Sequence, residues 1–146
     1  MDLRINYEWL AATKKEKAGK LHIFKLHRKL RKGIGFLSFS VLTTQINIDE
    51  VFIHSRYRRR GFGRLLMNMI MSMATEMRKP ILLLATYGSE PFYVSLNMRR
   101  IFYHEDWQDI KVTIENLNPR KKFCEQCSDL DFVWIPRGMR EISVWI

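Results

Sequence analysis

At 146 residues the chain suits one domain with a sizeable core, which 47% hydrophobic residues, including 4 Trp, 5 Tyr and 9 Phe, can fill. No apolar run approaches the roughly 18 residues of a membrane span. The N-terminus "MDLRINYEWL" lacks the basic-then-apolar build of a secretion signal, and two cysteines make no disulfide framework, so the expectation is one soluble cytoplasmic domain over 1–146 without a membrane partner.

The net charge of +10 is lopsided: residues 1–66 hold 15 Lys/Arg against 5 Asp/Glu, whereas 67–146 hold 10 of each. Such a field attracts polyanions and slows polycations. In chain order, "LRINYEWL" (3–10) reads as a short strand, and polar "AATKKEKAGK" (11–20) has room for one or two helical turns. "LHIFKLHRK" (21–29) alternates in part. "GIGFLSFSVLTTQ" (33–45) reads as a strand after a glycine-containing turn, and "INIDEVFIHS" (46–55) as a further strand rich in β-branched and aromatic residues. The period then changes. Leu66, Ile70, Met73, Ala74 and Met77 mark one face of a helix over 64–77, with Asn68, Ser72, Glu76 and Lys79 opposite. Pro80 stops it, and the apolar run "ILLLAT" (81–86) reads as a strand covered on both faces. "SEPFYVSLNMRR" (89–100) predicts a second helix with Ser89 as N-cap and Pro91 in its first turn. Residues 101–122 fit helix and strand spacing alike; "DFVWIP" and "EISVWI" read as strands around a Pro-Arg-Gly turn.

The chemical stretch is "YRRRGFGRLL" (57–66). A strand, a glycine-rich turn and a helix start aim unpaired N–H groups and the positive end of a helix dipole at a phosphate. Gly61 and Gly63 are expected to supply positive φ and to leave no Cβ between backbone and ligand. The third glycine of a dinucleotide fold and the Lys-Ser/Thr pair of a P-loop are both missing.

"VFIHSRYRRRGFGRLL" resembles motif A of the GNAT acyltransferase superfamily, Arg/Gln-x-x-Gly-x-Gly/Ala after the fourth strand, with Arg58, Gly61 and Gly63 at the three defining positions. Arg59 stands where many members have glycine. About thirty residues on, "GSEPFYVSLNM" resembles motif B, which ends in Phe-Tyr-x-x-x-Gly-Phe; Phe92 and Tyr93 fit, and Asn97-Met98 replace Gly-Phe. The resemblance implies an α+β, GNAT-like fold: a central, mostly antiparallel mixed sheet of about six to seven strands flanked by helices. It also implies an N-acetyltransferase that takes acetyl-CoA as acyl donor. The cofactor-binding set it implies is Phe52, Ile53 and His54 on the strand, with Arg58, Arg59, Arg60, Gly61, Phe62, Gly63 and Arg64 around the pyrophosphate.

Acyl transfer from a thioester needs a deprotonated amine, donors for the oxyanion, and a proton for the leaving thiolate. The resemblance makes Tyr93 the candidate acid, since a phenol stays protonated at neutral pH; its alternative is simple packing of a short helix. Glu50, Asp49, His54 or a water is the candidate base. A regular strand would put Glu50, Phe52 and His54 on one face and Asp49, Val51 and Ile53 on the other, unless a bulge breaks the parity. The main-chain N–H of Ile53 or a neighbour is where the family polarises the thioester carbonyl. Cys124 and Cys127 form a lone C-x-x-C without further ligands at metal spacing, so no metal is expected.

Typical members hold two helices between their first and second strands, and ten residues cannot form both. The expectation is a trimmed N-terminal region with an open acceptor cleft bordered by positive charge. That suits a macromolecular or acidic acceptor: a protein amine, aminoacyl-tRNA or a nucleic-acid-associated protein. The competing expectation is a non-catalytic GNAT-fold protein that binds CoA or nucleic acid. The oligomeric state is left open, a dimer through the late strands included.

Overall fold

The computed structural model describes residues 2–85, 88–101, 109–113, 130–139 and 141–145. They form β1 (Asp2–Ala12), β2 (Glu16–His27), β3 (Leu30–Leu42), β4 (Ile46–Ile53), a single 3-10 turn at Ser55–Tyr57, and α1 (Phe62–Met77). These are followed by β5 (Ile81–Ala85), α2 (Glu90–Ser95), β6 (Arg99–Ile101), β7 (Asp109–Thr113), β8 (Leu130–Trp134) and β9 (Glu141–Trp145). The chain divides into two compact units, one of residues 1–43 and 47–73, the other of 44–46 and 74–146. The α+β class expected from the sequence holds.

In the first unit the strands run β1-β2-β3-β4. β1 pairs antiparallel with β2, from Asp2 opposite Leu26 to Ala12 opposite Lys17. The helical turns expected within 11–20 are absent; the chain reverses over Thr13–Lys15 and re-enters a strand at Glu16. Thr13 drives the reversal, its hydroxyl accepting the N–H groups of Lys15 (3.3 Å) and Glu16 (3.1 Å), an ST turn that competes with helix. Gly19 belongs in this strand for a packing reason, because a Cβ there would lie 2.7 Å from the Phe39 ring. The β2–β3 turn also departs from expectation. It is made by Arg28 (φ 48°) and Lys29 (φ 65°), not by a glycine. His27 pairs with Leu30 across it, and a two-residue hairpin needs left-handed central residues to match strand twist.

Gly33 and Gly35 lie inside β3, where the β2–β3 register slips: Ile23 faces Gly35 but Phe24 faces Gly33, leaving Ile34 as an extra, fully buried residue. A Cβ on Gly35 would sit 2.2 Å from the Phe52 carbonyl oxygen and 2.6 Å from Ile53 Cδ1. Gly35→Ala therefore forces β3 and β4 apart and is expected to cost about 2–3 kcal/mol. A urea midpoint equal to that of the native chain would disprove the close approach.

Along α1 the buried stripe is Leu66, Met67, Ile70, Met71 and Ala74, rotated from the expected face, since Met77 is 42% exposed. The helix ends at Arg78 (φ 54°), whose left-handed turn lets Lys79 N–H reach the Ala74 carbonyl at 3.0 Å just before Pro80.

In the second unit the order is β5-β8-β6, all antiparallel, and β7 pairs separately with β9. Its described core includes Ile81, Leu83, Leu96, Met98 and Phe132. β5 is not covered throughout, because Leu84 is 55% exposed. The second helix is only six residues, and Arg99–Ile101, expected to continue it to 100, forms β6 instead. The 101–122 ambiguity resolves as strand at 109–113; Cys124 and Cys127 lie outside the described residues.

Candidate functional site

β4 carries four site candidates, Asp49, Glu50, Phe52 and Ile53, and its side-chain parity decides which of them meet. Ser40 and Phe36 are four apart on regularly paired β3, so both face the same side of the sheet. The Ser40 hydroxyl donates to Asp49 Oδ2 at 3.0 Å, and the Phe36 ring lies 5.6 Å from that of Phe52. Asp49 and Phe52 thus reach one face although three positions apart. A regular strand forbids that, so β4 slips its parity between them. His54 joins the same face, its ring 5.0 Å from Phe52. The grouping of Glu50 with Phe52 and His54 expected for a regular strand therefore does not hold: Asp49 shares their face, and both Asp49 and Glu50 are solvent-exposed as whole residues.

Partial burial pushes the Asp49 carboxyl above the ordinary carboxylate value; the Ser40 hydrogen bond pulls down against it, and the Glu16 charge adds to the rise. The folded chain then holds this proton more tightly than the unfolded chain. The resulting stabilisation is full below the unfolded pKa and is lost as pH rises through the raised folded value. Asp49→Asn is accordingly expected to raise the urea midpoint at neutral pH and to leave it unchanged near pH ~3. Equal midpoints at both pH values would contradict the raised pKa.

The main chain of β4 is also sorted. His54 N–H donates to Ile34 O at 2.9 Å and is taken by β3. Backbone groups alternate along a strand, so Ile53 directs its N–H and C=O to the edge away from β3. Of Ile53 and His54, Ile53 is therefore the one whose N–H points away from β3. Its carbonyl accepts from Arg58 Nε at 2.9 Å, so Arg58 pins the end of β4 to the turn that follows.

That turn has the expected order with one exchange of roles. Arg58 is extended (φ −67°, ψ 156°), Arg59 is left-handed at φ 62°, and Gly61 is left-handed at φ 87°. Gly63 does not have positive φ; it lies in the first turn of α1. Arg59 holds the second left-handed position, at a cost a glycine there would not carry. Replacing it by glycine is expected to stabilise the chain by about 1 kcal/mol, read as a rise in the urea midpoint.

A Cβ on Gly61 would meet nothing within 4 Å, so the turn is open at that point. The first helical bond runs from Leu65 N–H to Gly61 O at 3.0 Å. The N–H groups of Phe62 and Gly63 precede it, in the first turn of the helix. Tyr57, missed in the sequence, anchors the segment. It is 5% exposed, its ring stands edge-on to Phe62 at 6.2 Å, and Lys25 Nζ lies 5.4 Å from its centroid.

On the same face as Phe36, Phe52 and His54, an open cavity of about 340 Å³ is lined by β1, β2, β3 and His54. His22 Nε2 and Glu8 Oε2 meet there at 2.8 Å. Lys20 Nζ lies 3.9 Å above the Phe36 ring, and the Arg31 guanidinium 4.8 Å from that of Phe24. Residues 2–54 hold four strands and no helix, as the short 11–20 segment implied, and at the cavity this face is uncovered among the described residues.

Tyr93 belongs to the second unit, on α2. Its ring contacts Phe92 (5.1 Å between centroids) and Phe132 (5.9 Å). Burial pushes its phenol above the ordinary value, so it is protonated throughout the neutral range. Ser89 precedes α2 without a side-chain capping bond; the Gly88 N–H goes instead to Glu90 Oε2 at 2.8 Å. Asn97-Met98, at the place of the motif's Gly-Phe, form a left-handed turn into the core. Asn97 takes φ 61°, which asparagine tolerates better than most residues, and Met98 is fully buried. Among the described residues no group of His, Cys, Asp and Glu is arranged to hold a metal, and no helix is long and apolar enough to cross a membrane.

Comparison with known proteins agrees with this architecture. No curated protein sequence matches the chain. Among solved structures, an acyl-CoA N-acyltransferase from Pseudomonas aeruginosa is similar with a TM-score of 0.52 at 14% identity, over 80% of this chain and 68% of that one. PaiA N-acetyltransferase from Thermoplasma acidophilum, in complex with coenzyme A, gives a TM-score of 0.56 at 11% identity, over 80% of this chain; the match spans only 59% of that protein's length. NAA60 from Arabidopsis thaliana, in complex with a bisubstrate analogue, gives 0.54 at 14% identity, over 86% and 78% of the two chains. At these identities the likeness is one of fold. The model of the acetyltransferase (GNAT) family matches residues 5–98, nearly two-thirds of the sequence. The chain belongs to the GNAT acetyltransferase family.

Proposed function

We propose that this protein is an acetyl-CoA-dependent N-acetyltransferase whose acceptor is a macromolecular or acidic amine, such as a protein amine or an aminoacyl-tRNA. The observation that carries the reading is the turn itself: left-handed Arg59 and Gly61, open space at Gly61, and N–H groups ahead of the first helical bond after a strand. In this reading the N–H groups of residues 61–63 hold the pyrophosphate of the donor. Arg58 fixes the turn to β4, and Arg60 and Arg64 add positive charge. Phe52 and His54 border the acyl end.

The acceptor nitrogen attacks the thioester carbonyl carbon, a C–N bond forms and the C–S bond breaks. The proton leaving the amine passes to Asp49, directly or through water, because Asp49 is the carboxylate on the face shared with Phe52 and His54. Ile53 N–H stabilises the oxyanion, and Tyr93 protonates the departing thiolate. These roles for Tyr93 and Ile53 rest on the motif match and on the state of each group described above.

The acceptor class rests on charge. The uncovered face bears Lys20 and Arg31 over phenylalanine rings, and the N-terminal half carries the whole positive excess. Calorimetric titration with acetyl-CoA tests the donor, with saturable one-to-one binding expected. Acetyl incorporation into tRNA, protein and polyamine pools then tests the acceptor. Failure to bind acetyl-CoA would refute the donor assignment; tight saturation by a polyamine would refute the acceptor class.

A further inference from the structure

We propose that β1 is a self-association edge, pairing antiparallel with β1 of a second copy in the register that places Asn6 opposite Asn6 of the partner copy. β1 is the outer strand of its run, and among the described residues nothing pairs with its outer side. Ten of its eleven residues are exposed. Leu3, Tyr7, Trp9 and Leu10 are 40%, 41%, 43% and 56% exposed, an apolar load unusual for an edge in water. The strand has few of the usual guards against pairing, and its charges, Asp2, Arg4 and Glu8, are of both signs. It is long, holds no lysine and no proline, and its single register irregularity, between Trp9 and Ala11, lies near one end.

The sequence of β1 also selects the register. Around a two-fold axis, opposed side chains share a face, so odd residues must oppose odd and even oppose even. Centring on Ile5 puts Asp2 opposite the other copy's Glu8, a like-charge clash. Centring on Tyr7 leaves Arg4 opposite Leu10. Centring on Asn6 puts Arg4 opposite Glu8 twice by symmetry, and on the other face sets Leu3 against Trp9 and Ile5 against Tyr7. This register leaves Asp2 opposite Leu10 at its two ends, yet it is the one of the three that gains two opposite-charge pairs and sets no like charges in opposition. The even residues Asn6 and Glu8 also line the open cavity, so pairing would bring the partner copy's Arg4 beside Glu8 and join the two cavities across the axis. The Arg4–Asp2 and Glu8–His22 contacts are exposed or half-exposed and offer little resistance to exchange of partners.

Sedimentation velocity of the full chain between about 1 and about 100 µM, the range in which a modest Kd is read, tests the association. The expected result is a shift from 17.5 kDa to twice that mass. Arg4→Glu and Glu8→Arg singly set like charges in opposition and are expected to weaken dimerisation at least about tenfold, and the double exchange to restore it. In a Cys124→Ser/Cys127→Ser background, Asn6→Cys is expected to cross-link to itself under mild oxidant, and Ile5→Cys to do so far less. All four positions lie on the surface strand, and circular dichroism checks that each variant folds. A chain that stays monomeric at the upper concentration overturns the proposal and leaves the edge to a strand of some other protein. A dimer that ignores the charge exchanges and fails to cross-link at Asn6 overturns it equally, by placing the interface elsewhere. None of these measurements depends on acetyl transfer, so they are independent of the proposed function.

Discussion

Tyr93→Phe is expected to lower acetyl transfer by about a hundredfold or more while leaving acetyl-CoA affinity within about twofold of the native value. The substitution keeps the ring against Phe92 and Phe132 and removes only the hydroxyl. Burial holds the phenol protonated well above neutrality, the state in which it can donate to a thiolate. A group that acts only as the thiolate leaves contributes to turnover and not to donor binding. Single-turnover rates and calorimetry on the same preparation separate the two. Undiminished turnover would reduce Tyr93 to a packing residue, and a chain that binds acetyl-CoA with no turnover in either form would be a non-catalytic member of the family.

Gly63→Glu is expected to weaken acetyl-CoA binding at least about a hundredfold without unfolding the chain. Gly63 sits in the first turn of α1, with its N–H ahead of the first helical bond. A carboxylate there brings negative charge and bulk to the place proposed for the pyrophosphate. The same carboxylate is favourable to a helix N-terminus, so the fold is preserved. Gly63→Gln serves as the matched control, because it brings similar bulk to the same position and introduces no charge. Native-like affinity in Gly63→Glu would move the donor phosphates away from this turn.

Local signals in the sequence were legible where one interaction dominates. The strand, turn and helix of 46–77 follow from periodicity and glycine placement, and the motif resemblance adds the tyrosine-bearing helix. The misreadings have tertiary causes. The segment 11–20 reads as polar, with room for a helical turn or two, yet strand pairing and the fit of Gly19 under Phe39 make seven of its ten residues strand. The turn at Arg28-Lys29 carries no glycine, because hairpin twist imposed left-handed φ on two residues that do not favour it. Asp49 and Glu50 could not be ranked from the sequence. The parity slip that turns Asp49 toward Ser40 is seen only across strands. Gly63 was credited with a conformational duty that Arg59 performs, since a motif gives residue types and not dihedral angles.

The two reversals at Thr13–Lys15 and Arg28–Lys29 have a consequence for how the molecule assembles. Each joins strands that are neighbours in sequence, so the β1-β2-β3 meander closes by zipping outward from two short loops. A pair of long helices between the first two strands would separate partners by many more residues and slow their meeting. Residues 2–42 therefore form a region of low contact order, expected to gain order early and to give the later segments a surface on which to condense.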